Sequence, residues 1–207
     1  MTDGEDKRPQ SSPARTRSGM RRLDPARDQA IAAAVLEVLA RDGYAGLTMD
    51  AVATAAGVGK ATIYRRWSSK SDLLLSVMDV MGERLAAPDT GTLRADMVGL
   101  LTATVQLLDG PAGRATRALM GAVQDDCSLA EAFQRGPLAH WDRAWATVLE
   151  RAVARGEVTP AAGDTLAVEA GTAVVALRWL VTGRSLDDEI VRQLVDDVML
   201  PLLVGGR

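Results

Sequence analysis

Lys60, Thr62, Tyr64, Arg65 and Arg66 fall within one short stretch, and Lys70 follows soon after. Cations, a hydroxyl and a phenol packed this closely suggest no nucleophile–base pair. They are suited to donating hydrogen bonds to phosphate oxygens and base edges. Arg65 has the planar fork that matches guanine O6 and N7, and Thr62 can meet a phosphate or a thymine methyl. Arg66 reads equally as a groove-facing or a solvated charge. Such a set on one short helix is what recognition of double-stranded DNA through the major groove requires.

That helix needs a scaffold, and the flanking sequence supplies one. Residues 48–70 read as two short helices around a turn at Ala56-Gly57-Val58. Thr48 caps the first of these, with Asp50 in its first turn where the helix dipole favours an acid. Val52, Ala53 and Ala56 face inward, and Ile63 and Trp67, four apart, give the second helix its buried side. Upstream, Asp24-Pro25 opens a helix carrying Ile31, Val35, Val38 and Leu39, which Gly43 ends. Downstream, Ser69 to Asp72 is an S-x-x-D start for a helix through Leu73, Leu74, Val77, Met78 and Met81. Residues 1–22 have almost no apolar content and read as a disordered basic arm. Its Arg15, Arg17, Arg21 and Arg22 could lie along phosphates, enter the minor groove, or simply stay solvated.

Beyond a break at Pro88–Gly91 the chain stays helical. Leu93, Met97, Leu100, Leu101, Thr104, Val105 and Leu108 form one apolar stripe, stopped by Gly110-Pro111. A shorter helix with Leu119, Met120 and Val123 ends near Asp125. Ser128 caps the next segment, which Gly136-Pro137 breaks or kinks. A long helix through Trp141, Trp145 and Leu149 stops at Gly156. Thr159-Pro160 starts another, ending near Gly183, and Ser185 to Asp188 caps the last. No strand alternation, phosphate-binding glycine motif or repeat is evident. The expected fold is all-α with about nine helices.

Composition narrows the function. The 207 residues are 47% apolar, enough for a real core. No 18-residue apolar run is free of charge, so no membrane span is expected. One cysteine, Cys127, and one histidine, His140, make a structural zinc site implausible and an internal disulfide impossible. No metal, cofactor or catalytic group is expected, and the reading is a cytoplasmic protein that is not an enzyme. Residues 1–70 hold 12 basic and 8 acidic side chains, whereas residues 71–207 hold 12 and 19. A basic front on an acidic body orients a molecule toward a polyanion.

The stretch from Asp24 to about Met81 resembles the TetR (tetracycline-repressor-like) family. The resemblance rests on Gly43-Tyr44, Thr48, Val52-Ala53, Ala56-Gly57-Val58, the run Lys60-Ala61-Thr62-Ile63-Tyr64, Trp67, and Ser69-Lys70 before Leu73-Leu74. The runs Pro88–Asp96 and Arg151–Val158 look like one large subgroup of that family. Two residues depart from the pattern. Gly59 stands where a hydrogen-bonding residue is usual, and Trp67 replaces the usual phenylalanine.

After the basic arm (1–22), the resemblance implies a three-helix helix-turn-helix DNA-binding domain (23–70) and a helical effector-binding and dimerisation domain (71–207). It implies a homodimer that binds a DNA operator through Thr48, Lys60, Ala61, Thr62, Tyr64, Arg65 and Lys70. In this reading Lys60, Thr62 and Arg65 lie toward the N-terminal, groove-facing side of the recognition helix, and Thr48 and Lys70 hold phosphates at helix starts. An apolar or aromatic small-molecule effector would release a repressor from its operator. Met97, Leu101, Met120, Trp141, Trp145 and Trp179 are the candidate pocket residues, though side chains at such spacing also make plain core. Val174, Leu177, Leu194 and Val198 on the last two helices are candidates for a four-helix dimer interface, or for the monomer core. The alternative is a DNA-binding regulator without a small ligand, controlled by a protein partner. A cavity within residues 92–180 would favour the effector reading.

Overall fold

The computed structural model describes residues 25–82, 85–164 and 166–205. The basic arm and the Asp24 cap lie outside them. The described residues contain no strand and form nine continuous helical rods.

The first four helices are α1 (Pro25–Gly46), α2 (Met49–Ala55), α3 (Lys60–Tyr64) and α4 (Lys70–Gly82). α1 kinks at Gly43 and runs on to Gly46 instead of ending there. α2 is capped as expected: the Ala51 N–H donates to Thr48 Oγ1 at 3.0 Å. The turn into α3 passes through Gly57 at φ 64°, a left-handed conformation that disfavours any side chain. Ser69 Oγ accepts from the Asp72 N–H at 3.1 Å, so the S-x-x-D start of α4 is also realised.

Ile31, Val35, Leu39, Val52, Ile63 and Trp67 form the N-terminal core, and Leu73, Leu74, Val77 and Met78 of α4 are equally part of it. The core therefore runs through α4, past the sequence-based boundary at residue 70. It also takes Ala115, Leu119 and Leu129 from the following region. The N-terminal helical unit is thus packed onto the second half, not tethered to it by a linker.

The second half comprises α5 (Leu93–Asp109), α6 (Pro111–Asp125), α7 (Cys127–Phe133), α8 (Ala139–Ala154), α9 (Ala167–Ala176), α10 (Asp188–Gln193) and α11 (Leu200–Val204). Gly113 lets α6 start directly against the end of α5: a Cβ there would lie 1.7 Å from the Leu108 carbonyl oxygen. Gly136-Pro137 does not break the chain. It sits in a wide π-helical turn, Gln134–Leu138, that joins α7 to α8 in one bent rod. Similar turns extend α9 (Leu177–Thr182) and join α10 to α11 (Leu194–Met199).

Three starts differ from expectation. Helix α7 begins at Cys127, and Asp126 accepts the Leu129 N–H at 3.1 Å, so this acid caps it; the Ser128 side chain, expected in that role, lies outside the described residues. At α10 the cap is Asp187, which accepts from Ile190 at 3.0 Å while Ser185 donates to its other oxygen at 2.8 Å. After Thr159 the chain makes a 3-10 turn, Pro160–Asp164, and α9 proper begins only at Ala167.

The Pro88–Asp96 and Arg151–Val158 runs meet. Asp96 is fully buried and accepts from the Thr90 N–H (2.6 Å), the Thr90 hydroxyl (2.7 Å) and Arg155 (3.0 Å). Glu157 accepts from the Leu93 N–H at 2.7 Å and from Arg155 at 2.5 Å. Burial pushes the Asp96 carboxyl upward, but Thr90 and Arg155 together outweigh it and hold it below the usual range. This knot fastens the segment after α4 to the start of α5 and the end of α8.

Candidate nucleic-acid interface and effector cavity

Helix α3 is only five residues long and buries Ile63 completely. At about 100° per residue, Ala61 and Arg65 lie opposite Ile63, with Tyr64 and Thr62 on either side. Ala61, Tyr64 and Arg65 are exposed and Thr62 is half-buried. These four make one outward face. The Arg65 side chain has no hydrogen bond or ion pair among the described residues. It caps the C-terminal end of α3 and so is not near its start, because the helix is shorter than the sequence pattern suggests.

The other cations are engaged within the chain. Lys60 Nζ meets Asp50 Oδ2 at 2.5 Å, and that bond holds its ammonium above the ordinary lysine range. Lys70 Nζ sits 4.0 Å from the Tyr44 ring centroid and donates to the Tyr44 carbonyl at 3.3 Å. Tyr44 in turn meets Ser71 Oγ at 3.2 Å. Arg66 is neither groove-facing nor merely solvated. It pairs with Asp28 of α1 through both oxygens and stacks 4.5 Å from the Trp67 ring centroid. This fixes α3 onto α1. Gly59 begins α3 without a side-chain cap, and space around its Cβ position is open.

A cavity of about 260 Å³ lies between the two halves. Leu36, Leu39, Leu74 and Met78 close it on the DNA-reading side. α5, α6, α8 and α9 close the rest through residues such as Leu108, Thr116, Met120, Trp141, Val175 and Trp179. Among the described residues its lining holds no carboxylate, ammonium or guanidinium; His140, a titratable side chain, lies on it and meets Arg143 at 2.7 Å. Thr104 and Thr172 donate to Leu100 and Val168 carbonyls at 2.8 Å, and Trp141 Nε1 donates to Thr172 Oγ1 at 3.2 Å. Its polar groups are thus largely satisfied within the chain, and the space is apolar.

Of the six candidate pocket residues, Met120, Trp141 and Trp179 line this cavity. Met97, Leu101 and Trp145 do not: they are fully buried in the core behind it, where the inner stripe of α5 packs on α8. The sequence reading missed the α1 and α4 contribution, because Leu36, Leu39, Leu74 and Met78 look like ordinary core positions. Phe133, the single phenylalanine, also lines the cavity and could have been noticed. The interface candidates divide as well. Leu177 is exposed, Val174 and Val198 are half-buried, and Leu194 is buried within the monomer. Leu194 falls inside because it shares the inner face of α10 with Val191, three positions earlier, and lies beside buried Val195.

Comparison with known proteins accords with this architecture. Residues 31–77 match the profile of bacterial regulatory proteins of the tetR family, and residues 87–198 match the tetracyclin repressor-like C-terminal domain. The chain is 35% identical over 185 residues to a DNA-binding transcriptional repressor TetR of Mycobacteroides abscessus, covering 87% of this chain and 95% of the relative. It is 30% identical to the HTH-type transcriptional regulator YdeS of Bacillus subtilis, over 83% and 87% of the two chains. The solved TetR family regulator SCO0332 is similar at 34% identity and a TM-score of 0.65, covering 83% of this chain and 95% of that one. The regulator FadR from Bacillus subtilis, solved with stearoyl-CoA, shares the fold at 17% identity and a TM-score of 0.65, over 86% and 99%. A helix-turn-helix unit packed on a helical domain, matched along both halves, places this chain in the TetR family of DNA-binding transcriptional regulators.

Proposed function

We propose that the protein is a cytoplasmic homodimeric repressor that leaves its operator when a small apolar or aromatic effector enters the cavity between its two halves. The observation that carries this reading is the composition of the cavity wall. Leu36 and Leu39 belong to α1, which packs on α2, and α4 begins beside the recognition helix. A ligand that fills the space touches both the scaffold of the DNA-reading unit and the effector domain. It need only favour the DNA-incompetent arrangement by a few kcal/mol to empty the operator. The same cavity supports an effector over control by a protein partner alone.

DNA contact falls to the outward face of α3 and its neighbours. Arg65 and Thr62 read base edges, and Tyr64 contacts the backbone. Ala61 is small enough to let the helix approach closely. Thr48, Lys60 and Lys70 hold phosphates, and Lys60 exchanges Asp50 for a phosphate on binding. Dimerisation uses the faces left open on the last helices. Leu166, Leu177, Val181, Leu202 and Val204 are all exposed on them. Pro160–Thr182 is long and apolar enough to cross a membrane by length and composition alone, and most of it is unburied in one chain. A partner subunit covers such a face without any membrane. That FadR from Bacillus subtilis, a neighbour in fold, was solved in complex with stearoyl-CoA supports an effector with an apolar part.

The test is operator binding with an effector panel. Neutral apolar and aromatic compounds should include members that lower affinity for a selected operator duplex. Unchanged affinity across a broad panel would overturn the effector part of the reading.

A further inference from the structure

Beside the apolar cavity lies a second, polar cleft of about 480 Å³, lined by Arg117, Arg178, Arg184, Asp109, Asp187 and Trp179. The two spaces are neighbours through consecutive residues. Leu108, Thr116 and Trp179 line the cavity, whereas Asp109, Arg117 and Arg178 line the cleft. Trp179 belongs to both. Its Nε1–H donates to the Leu108 carbonyl at 3.2 Å, and its carbonyl accepts from Arg117 at 2.7 Å. The Arg117 guanidinium stands 4.9 Å from its ring centroid.

Three guanidiniums in one cleft are unexpected in a half of the chain that carries 19 acids against 12 bases. Of the cleft's two acids, Asp187 lies close enough to Arg178 to feel its charge. Asp187 is occupied by the Ile190 N–H and the Ser185 hydroxyl at the start of α10. Neither Asp109 nor Asp187 forms an ion pair with these arginines among the described residues. Arg178 spends one N–H on the Ser185 carbonyl at 2.7 Å, and Arg184 has no hydrogen bond or ion pair there. The cleft therefore offers fork-shaped donors with N–H groups to spare, next to a largely apolar cavity.

We infer that the effector is an anionic amphiphile, its apolar body in the cavity and its carboxylate in the arginine cleft, passing the Trp179 indole. This rests on the effector reading above and names the chemical class. A carboxylate can take the paired N–H groups of an arginine in a bidentate bond, which the cavity itself cannot provide. The charged end then fixes orientation, while the body supplies burial between α1, α4 and the effector helices.

Calorimetric titration of the full chain with decanoate and with decan-1-ol tests this. Decanoate should bind about tenfold or more tightly than decanol, and the preference should shrink as salt rises. Arg117→Gln with Arg184→Gln should bring the two affinities together. Arg184→Gln alone, at an exposed position, keeps the test valid if the pair impairs folding. Decanol binding as tightly as decanoate would overturn the anionic head while leaving the apolar effector in place. A decanoate preference that survives both substitutions would overturn the arginine assignment. Binding of neither compound would overturn both the class and the cavity reading beneath it.

Discussion

Arg65 and Arg66 are adjacent in sequence and should fail in opposite ways. Arg66→Ala removes a two-point bond to Asp28 and the stacking on Trp67. A hydrogen bond to a charged group contributes about 1.5–3 kcal/mol when sheltered, and an exposed ion pair about 0.2–1 kcal/mol. The Arg66 and Asp28 side chains are 18% and 31% exposed, which places this pair between those limits. Cation–π stacking adds about 0.5–1 kcal/mol. The net loss is about 1–3 kcal/mol, and each kcal/mol lowers Tm by about 2–4 °C in a chain of this size. Urea denaturation with the Asp28→Asn and double variants measures it, and the two single losses should not add. Operator binding of the folded variant should keep its sequence preference. Unchanged stability together with relaxed operator preference would refute the structural role and make Arg66 a reader of DNA.

Arg65→Ala should leave Tm unchanged and cost about 1–3 kcal/mol of operator binding, with relaxed specificity in a mutated-site series. Lys70→Ala should weaken binding to operator and random duplex alike and lower the slope of log K against log salt by about one. Asp96→Asn tests the buried knot by pH. Because the folded carboxyl sits below its ordinary value of 3.8, its contribution is complete above that value and is lost as pH falls through the folded one. The Asn variant should therefore be less stable at neutral pH and show a shallower acid limb in denaturation. Met120→Trp should fill the cavity, preserve operator binding in a shift assay and abolish effector release.

The DNA-reading half was largely legible because its signals are local. Thr48 caps α2, Gly57 takes the turn and Ile63 points inward, and each can be read from neighbours within a few residues. Arg66 was not legible, since its partner Asp28 is 38 positions away. The second half hid more. Helical periodicity correctly named apolar positions, but it cannot say which apolar face meets another helix and which meets a void. Met97 and Trp145 were as plausible for the cavity as Met120 and Trp141. Wide π turns at 134–138, 177–182 and 194–199 shift the helical phase beyond them. The arginine cleft draws on the end of α5, on α6 and on the loop after α9, so no sequence window contains it.

Sequence-specific DNA recognition through α3 can be measured by enrichment of a random duplex pool. The full chain should select a pseudo-palindromic site, bound well above random duplex, with that preference reduced by Arg65→Ala. Failure to enrich any sequence, with equal affinity for selected and random duplex, would contradict it.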